Sequence, residues 1–336
     1  MKCRKLFIYV LSLIVLVLLF PLEPLAAPYY HGKTINIICG TGPGGGFDRI
    51  ARIYAKFLPK YIPGKPTIIV ENMPGAASIV AANYMYNIAK PDGLTIGIVN
   101  RGLPFAQLLK TEGVRFDLTK YAWVGSPSVE SNVITVSSDT PYKSVADLRN
   151  AKGPIKLGAA GPASSSAHFP LLLKAFAGIK NIQMVYYRSS QEVALAIERR
   201  EVDGKATSYT SFKTQILKGL YRPLLRGRIS EPGIENLPID EDLTNDPIGK
   251  KLMAMRSGPD RIGRPFFCPP KTPPEVMTIL REAFAKASKD PEVDAMADKL
   301  EMRIEYVSAE ECVKILKDLY SQPDNVVKEF AKHIKF

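Results

Sequence analysis

Short apolar segments alternate with longer amphipathic segments in the first third of the chain. Residues 35–39, 67–71 and 95–99 are short and apolar, which predicts three buried strands. The segments near residues 47–58 and 77–89 lie between them and are predicted to be helices. The apolar face of the first predicted helix consists of Ile50, Ala51, Tyr54, Phe57 and Leu58. This alternation predicts a parallel sheet covered by helices on both faces.

A second unit of the same kind begins near the middle of the chain. Its pattern predicts strands at residues 155–159 and 183–187, helices near residues 167–177 and 191–200, and a short strand after Val202-Asp203-Gly204. Two units in which strands and helices alternate indicate two similar α/β domains rather than one large sheet.

Two segments are predicted to connect these domains. Residues 121–138 have no helical period and are interpreted as one strand that crosses between the domains, and the chain is predicted to return near residues 221–225. Domain 1 then comprises residues 28–124 and 227–336, and domain 2 comprises residues 125–226. Later in the chain, residues 272–275 and 308–311 have the form of capping boxes and predict two further helix starts.

The N-terminal segment has the layout of a secretory signal peptide. Basic residues precede an apolar run at residues 6–20, and Pro21 and the small pair Ala26-Ala27 follow it. The run has fifteen residues, whereas a membrane span needs about twenty. We therefore expect residues 1–27 to be a signal peptide and the mature protein to be periplasmic. An uncleaved anchor is the alternative, because Leu25 is a poor small residue at its position relative to the cleavage site.

Composition excludes some classes of partner. The formal net charge is +12, and removal of the predicted leader would lower it to about +10. This charge could steer an anion or be a solvated surface without a partner, and no basic run with interleaved aromatic residues indicates nucleic acid. Cys39, Cys268 and Cys312 could form one disulfide and one free thiol, or be three buried thiols. The three histidines are scattered, so no metal site is predicted.

Two loops carry the clearest chemical signal. The first has the sequence GTGPGGG at residues 40–46, followed by Phe47-Asp48, and the second has the sequence ENMPGAAS at residues 71–78. Each loop is predicted to place free backbone N–H groups at a helix start, where the helix dipole also favours negative charge. The pattern therefore predicts an anion-binding site.

The same loops resemble the solute-binding proteins of tripartite tricarboxylate transporters, the TctC or Bug family. The resemblance extends over nearly all of the chain after the leader. The motifs that carry it are PGGGFD at 43–48, VENMPGA at 70–76, KPDGLT at 90–95, GAAGPASSSAH at 158–168, VDG at 202–204, KTPPE at 271–275 and DPEV at 290–293. Two departures fall in predicted ligand loops: Ala77-Ser78 replaces a further glycine, and Tyr187-Arg-Ser-Ser190 replaces a Tyr-Lys-Gly sequence.

The resemblance implies an α/β, two-domain periplasmic-binding-protein fold of the type II-like class, with a ligand cleft between the domains. It implies a monomer that binds a small organic carboxylate and delivers it to the permease subunits of a tripartite carrier. No catalytic step, cofactor, metal or nucleic acid is part of this interpretation. An exported α/β enzyme and the ligand-binding partner of a sensor are the alternatives.

The predicted ligand-binding residues lie on four loops. Asp48 could cap its helix or order the loop and hold ligand hydroxyls, and Arg188 could clamp an acid group or pair with Glu192. The full set is Thr41, Gly44, Gly45, Asp48, Asn72, Gly75, Ala76, Ser78, Gly161, Ser164, Ser165, Ser166, Arg188 and Ser189.

Two enzyme classes fit parts of the pattern. The first glycine loop satisfies the dinucleotide fingerprint in form, but Pro43 lies inside the turn and the chain carries an export signal. Ser164, Ser165 and Ser166 lie close to His168, but the segment lacks the nucleophile elbow of hydrolases. The simpler interpretation is that these serines cap a helix start and face the cleft.

The leader generates the first testable prediction. N-terminal sequencing of protein from the periplasmic fraction should begin near Pro28, because the apolar run is too short to span a bilayer. Recovery of the chain with Met1 intact in a membrane fraction would contradict this expectation.

Overall fold

A computed structural model describes residues 27–334. The predicted signal peptide lies outside these residues except for Ala27. The strands are β1 (Thr34–Cys39), β2 (Thr67–Asn72), β3 (Thr95–Ile98), β4 (Ala122–Ser126), β5 (Asn132–Ser137), β6 (Ile155–Ala159), β7 (Ile182–Tyr186), β8 (Gly204–Ser208), β9 (Tyr221–Arg226), β10 (Phe266–Cys268) and β11 (Val307–Ser308).

Helices flank these strands in both halves of the chain. They are α1 (Gly46–Phe57), α2 (Ile79–Asn87), α3 (Leu103–Leu108), α4 (Val145–Arg149), α5 (Ser165–Phe176), α6 (Ser190–Glu198), α7 (Tyr209–Leu217), α8 (Pro247–Ser257), α9 (Pro274–Ala287), α10 (Pro291–Lys299), α11 (Ala309–Tyr320) and α12 (Asp324–His333). In the part of the chain that is described, none of the helices is both long and apolar enough to span a bilayer.

The strands form two mixed sheets. The first sheet has the order β11-β4-β10-β3-β1-β2, and the second has the order β7-β6-β8-β5-β9. The parallel pairing predicted from the sequence occurs between β1 and its neighbours β2 and β3, and between β6 and its neighbours β7 and β8. Antiparallel strands complete each sheet, and they come from segments outside the two predicted units.

The predicted connections between the sheets need correction. The single crossing strand predicted at residues 121–138 is instead two strands, β4 in the first sheet and β5 in the second. Pro127 follows β4 and has no N–H for a ladder, and Gly125 has a φ of +146°. The return predicted near residues 221–225 is also wrong, since β9 pairs with β5 inside the second sheet and the chain returns only after it.

The interior is divided into separate apolar clusters. Tyr54 of α1 and Phe284 of α9 stack at 4.6 Å on one face of the first sheet, next to Phe266 of β10. The second sheet buries a cluster that also takes in side chains of α8 and α12. These two helices lie in the segment assigned to domain 1, and the boundary at residue 124 falls inside β4 of the first sheet. The domain boundaries therefore stay a prediction.

The two predicted capping boxes have different outcomes. Ser308 caps α11, and its side chain accepts a hydrogen bond from the N–H of Glu311. At the start of α9 the residue before the helix is Pro273, and the Thr272 hydroxyl donates to the carbonyl of Pro269 instead. Two consecutive prolines follow Thr272, so this helix begins without a side-chain cap.

The second cluster can be tested with a matched pair of substitutions. Leu225 of β9 is fully buried, so Leu225→Ala should lower the free energy of unfolding by about 2–5 kcal/mol through lost transfer energy and a residual cavity. Leu217→Ala is the control, because that side chain is 65% exposed, and its effect should stay below about 1 kcal/mol. Denaturant titration measures both, and equal effects would contradict the assignment of Leu225 to the core.

Candidate functional site

A cavity of about 90 Å³ lies where the two sheets face each other. The segments after β1, β2 and β3 line one side of it, and the segments after β6, β7 and β8 line the other. Ligands in open α/β sheets bind outside the carboxyl ends of the strands, as this cavity is placed to allow. Its volume exceeds that needed for a single water molecule several times over.

Eight of the predicted ligand residues line this cavity. They come from all four predicted loops and are Thr41, Gly45, Gly75, Ser78, Ser165, Ser166, Arg188 and Ser189. The other six, Gly44, Asp48, Asn72, Ala76, Gly161 and Ser164, lie outside the lining and belong to the loops that support it.

Asp48 orders the first glycine loop. Its carboxylate is buried and accepts hydrogen bonds from the N–H of Gly44 at 2.8 Å and from Asn72 Nδ2 at 2.9 Å. Asn72 Nδ2 also donates to the carbonyl of Thr41 at 2.9 Å, and Arg52 Nε forms an ion pair with Asp48 at 3.0 Å. Burial alone would raise the pKa of Asp48, but these hydrogen bonds hold its pKa below the ordinary value.

Two glycines of this loop stand at their positions for different physical reasons. Gly44 has a φ of +82°, the left-handed conformation that favours glycine. Gly45 has an extended backbone with a φ of −78°, and a Cβ there would lie 2.7 Å from Gln191 Nε2. Gly44 is therefore needed for the turn, whereas a side chain at Gly45 would displace the Gln191 amide from its place in the cavity lining.

The second loop has a strained backbone. Ala76, Ala77 and Ser78 all have positive φ values, of 44°, 52° and 79°, in a region that non-glycine residues rarely adopt. The buried Ser78 hydroxyl donates to the carbonyl of Gly40 at 2.7 Å and accepts from the N–H of Asn100 at 3.1 Å. These bonds connect the segments after β1 and β3 through Ser78.

The serine-rich segment before α5 is arranged differently from the prediction. Ser164 precedes the helix but makes no side-chain cap; its hydroxyl donates to the carbonyl of Gly161 at 2.7 Å. Ser166 Oγ lies 2.8 Å from Ser164 Oγ and accepts from the N–H of Ala160. Only Ser165 and Ser166 of this group face the cavity.

The start of α6 presents Arg188 and its neighbours to the cavity. The Ser189 hydroxyl accepts from the N–H of Glu192, whose carboxylate accepts from the N–H of Arg188 at 3.0 Å. Over residues 27–334, the side chains of Arg188 and Glu192 form no ion pair with each other. Arg188 is exposed and lines the cavity.

Arg101 is a lining residue that the motif analysis missed. It follows β3 and is buried, with its Nε 2.8 Å from Asp260 Oδ1. Its Nη2 donates at 2.8 Å both to Asn132 Oδ1 and to Ser208 Oγ, which belong to the second sheet. The sequence feature that could have identified Arg101 is its position directly after a predicted buried strand, since the two glycine-containing loops also follow such strands.

The charged residues in the described lining of the cavity are all basic. Arg101 and Arg188 are its charged residues, and the described lining contains no aspartate, glutamate or lysine. Its other polar groups include Asn100, Gln191, Ser190, Thr207, Ser208 and Ser211. Guanidinium groups, hydroxyls and N–H groups are hydrogen-bond donors suited to a carboxylate.

The histidine and the cysteines that were considered for hydrolase, disulfide or metal chemistry are buried. His168 is buried against Phe105, and burial and the charge of Arg256 lower its pKa to about 3. An imidazole with that pKa is a poor general base near neutral pH. Cys39, Cys268 and Cys312 are buried thiols, and the described residues contain no cluster of three potential metal ligands.

Comparisons with known proteins agree with this architecture. A sequence model of the tripartite tricarboxylate transporter family receptor matches residues 50–331. A UPF0065 protein of Bordetella pertussis is 29% identical over 272 residues, or 79% of each chain. The structure resembles the periplasmic binding protein BugD with a TM-score of 0.75 and 19% identity, covering 90% of this chain and 98% of that one. It also resembles MatC of Rhodopseudomonas palustris with bound malate, with a TM-score of 0.72 and 18% identity, covering 88% of this chain and 99% of that one.

The role of Asp48 in the loop leads to a prediction about stability and pH. Because the folded-state pKa is lowered, the ionised carboxylate stabilises the fold above its unfolded pKa of about 4, and this contribution is lost as the pH falls through the folded value. Asp48→Asn should therefore cost about 1.5–3 kcal/mol at neutral pH and less in acid.

Asp139→Asn is the matched control for this prediction. Asp139 is exposed and pairs with the exposed Arg200, so its loss should cost less than about 1 kcal/mol. Denaturant titrations at several pH values measure both variants. A cost for Asp48→Asn that is small and independent of pH would contradict the proposed role.

Proposed function

The chain belongs to the tripartite tricarboxylate transporter receptor family, and from this premise we propose that it is a periplasmic solute-binding protein for a small organic carboxylate. The observation that carries the proposal is the cavity between the sheets, whose charged lining residues are Arg101 and Arg188. Asp260 already balances the charge of Arg101, so the unbalanced charge at the cavity is that of Arg188, which has no ion pair among the described residues. A lining rich in donors, with no acidic residue among its described members, favours an anion.

The available donors are strong enough for capture without a catalytic step. A hydrogen bond to a charged group contributes about 1.5–3 kcal/mol, so four or five such bonds supply roughly 6–15 kcal/mol. Micromolar affinity needs about 8 kcal/mol net, after an association cost of about 4 kcal/mol or more. The backbone N–H groups of the two loops and the Ser165 hydroxyl would supply much of this requirement. The Ser166 hydroxyl does not add to it, because Ser164 donates to Gly161 and Ser166 in turn donates to Ser164.

The proteins with similar structures support a carboxylate as the class of ligand. MatC of Rhodopseudomonas palustris has bound malate, and a second protein of that organism, with a TM-score of 0.73, is described with adipate. Both are dicarboxylates of modest size. We propose a ligand of this class for the present chain, which would be handed to the permease subunits of a tripartite carrier in the membrane.

Closure of the cleft is part of the proposed mechanism. Gly42 and Gly45 face Ser189 and Gln191 of the opposite side. A Cβ at Gly42 would be in van der Waals contact with Ser189 at 3.4 Å, and a Cβ at Gly45 would lie 2.7 Å from Gln191 Nε2. A ligand held between these segments contacts both sheets and stabilises the closed arrangement in proportion to its better binding there. Release to the permease then requires the two sides to separate.

The ligand class is tested directly with the purified protein. Calorimetric titration with malate, succinate, adipate, citrate and benzoate should find at least one acid that binds with a dissociation constant of about micromolar or lower. The diamide of succinate is the uncharged control and should not bind measurably. Mass spectrometry should recover the bound acid unchanged. Turnover of the acid, or equal binding of the diamide, would contradict the proposal.

The two recognition elements can be separated by substitution. Gly45→Val should abolish measurable binding of the acid identified in that panel, because its side chain would occupy the space of Gln191 Nε2 while the extended backbone accepts it without strain. Arg188→Gln should weaken binding by about 10- to 100-fold, since it removes one charge-assisted hydrogen bond.

Arg200→Gln is the matched control, because Arg200 is exposed and pairs with Asp139 on the surface. It should bind as the unmodified protein does. Normal binding by Gly45→Val together with complete loss in Arg188→Gln would show that affinity resides in the guanidinium and not in the glycine loop.

A further inference from the structure

A buried lysine lies directly behind the start of α6. Lys205 belongs to β8 and is 2% exposed. Its Nζ donates to Ser190 Oγ at 2.6 Å and to the carbonyl of Ser190 at 3.2 Å, and it lies 4.3 Å from the ring centroid of Phe212. The cation is therefore enclosed by one serine and an aromatic face.

No acidic side chain within 4 Å balances this charge in the described structure. The charged groups on the elements packed around Lys205 are engaged elsewhere. They are Glu192 of α6, bonded to the N–H of Arg188; Lys213 of α7, paired with Glu301; Asp203 before β8, bonded to the N–H of Lys156; and Glu130 before β5, paired with Arg264. The nearby helix start also has a positive dipole end, which disfavours a second positive charge.

Ser190 connects this lysine to the cavity. It is the first residue of α6 and part of the cavity lining. Its Oγ accepts the short hydrogen bond from Lys205, so its own hydroxyl hydrogen is left to point elsewhere. The cavity lies on that side, and an anion there would receive this hydrogen.

We propose that Lys205 is a positioning residue for the ligand, which orients the Ser190 hydroxyl as a donor into the cavity and whose charge is balanced only when an anion is bound. This inference rests on the proposed binding of carboxylates and adds a residue that does not itself line the site. It also makes capture of the anion depend on the protonation of a buried amine.

The direction of the pH dependence follows from the environment of Lys205. Burial lowers its pKa to about 7, and a bound anion next to Ser190 would raise it again. Below about pH 7 the amine is already charged in the free protein, so affinity should be constant. Above that pH, binding must take up a proton, and affinity should fall by up to about tenfold per pH unit.

The experiment uses malate and adipate as probes with the full mature protein. Calorimetric titrations between about pH 6 and pH 9, in buffers of different ionisation enthalpy, measure affinity and proton uptake together. The unmodified protein should take up a proton on binding near pH 8. Lys205→Met should bind at least about tenfold more weakly at pH 6 and show no proton uptake.

Two further variants separate this role from simple packing. Ser190→Ala should weaken binding, and Lys205→Met should weaken it little further in the Ser190→Ala background, because the two residues act through one contact. Lys156→Met is the matched control, since Lys156 is an exposed lysine on the neighbouring strand β6. It should keep both the affinity and the pH profile of the unmodified protein.

Several results would overturn the inference. Unchanged affinity and pH slope in Lys205→Met would do so, as would additive effects of the two substitutions. Absence of proton uptake by the unmodified protein near pH 8 would do so even if the variant failed to fold. Failure of the unmodified protein to bind either probe or any other acid of the panel would instead remove the proposed function, and this inference with it.

Discussion

The buried ion pair between Arg101 and Asp260 joins the parts of the chain on which the cleft depends. Arg101 follows β3 of the first sheet, and Asp260 lies in the segment that returns from the second sheet. The same guanidinium reaches Asn132 and Ser208 of the second sheet. Removing one partner of such a pair leaves an uncompensated buried charge, at a cost of about 3–5 kcal/mol. The Arg101 side chain therefore both connects the two sheets and forms part of the cavity wall.

The pair is embedded in a larger buried network. Asp260 also accepts from Asn132 and pairs with Arg256, which in turn pairs with Asp240. Each carboxylate has its own donors, so the acidic groups near the cleft are already engaged when a ligand arrives. The cavity keeps an excess of donors, and the proposed carboxylate would satisfy them without displacing an internal partner.

Hydrogen bonds hold the strained backbone of the second loop in place. Three consecutive non-glycine residues with positive φ cost of order 1–3 kcal/mol each. Ser78 offsets part of that cost by bonding the segments after β1 and β3. A glycine in place of Ser78 would remove that residue's share of the strain and both hydrogen bonds together, while Ala76 and Ala77 would keep theirs. Ser78 therefore adds backbone strain to the loop but bonds the loop to the segments after β1 and β3.

The sequence alone determined the repeated strand and helix pattern, the parallel core of each sheet and the four loops, since periodicity and glycine motifs are local properties. Gly45, Ser78, Ser165 and Arg188 were predicted in this way, and all four line the cavity. Arg101 and Lys205 were not, because Arg101 bonds to residues 31 or more positions away and Lys205 bonds to the start of a neighbouring helix. The crossing between the sheets was predicted at residues 121–138, but its division into β4 and β5 near Pro127 was not, because an extended stretch contains no local signal for the sheet that each half joins. Only the tertiary structure decided which cations face the cavity, because burial and long-range pairing determine whether a charge is engaged or left for a ligand.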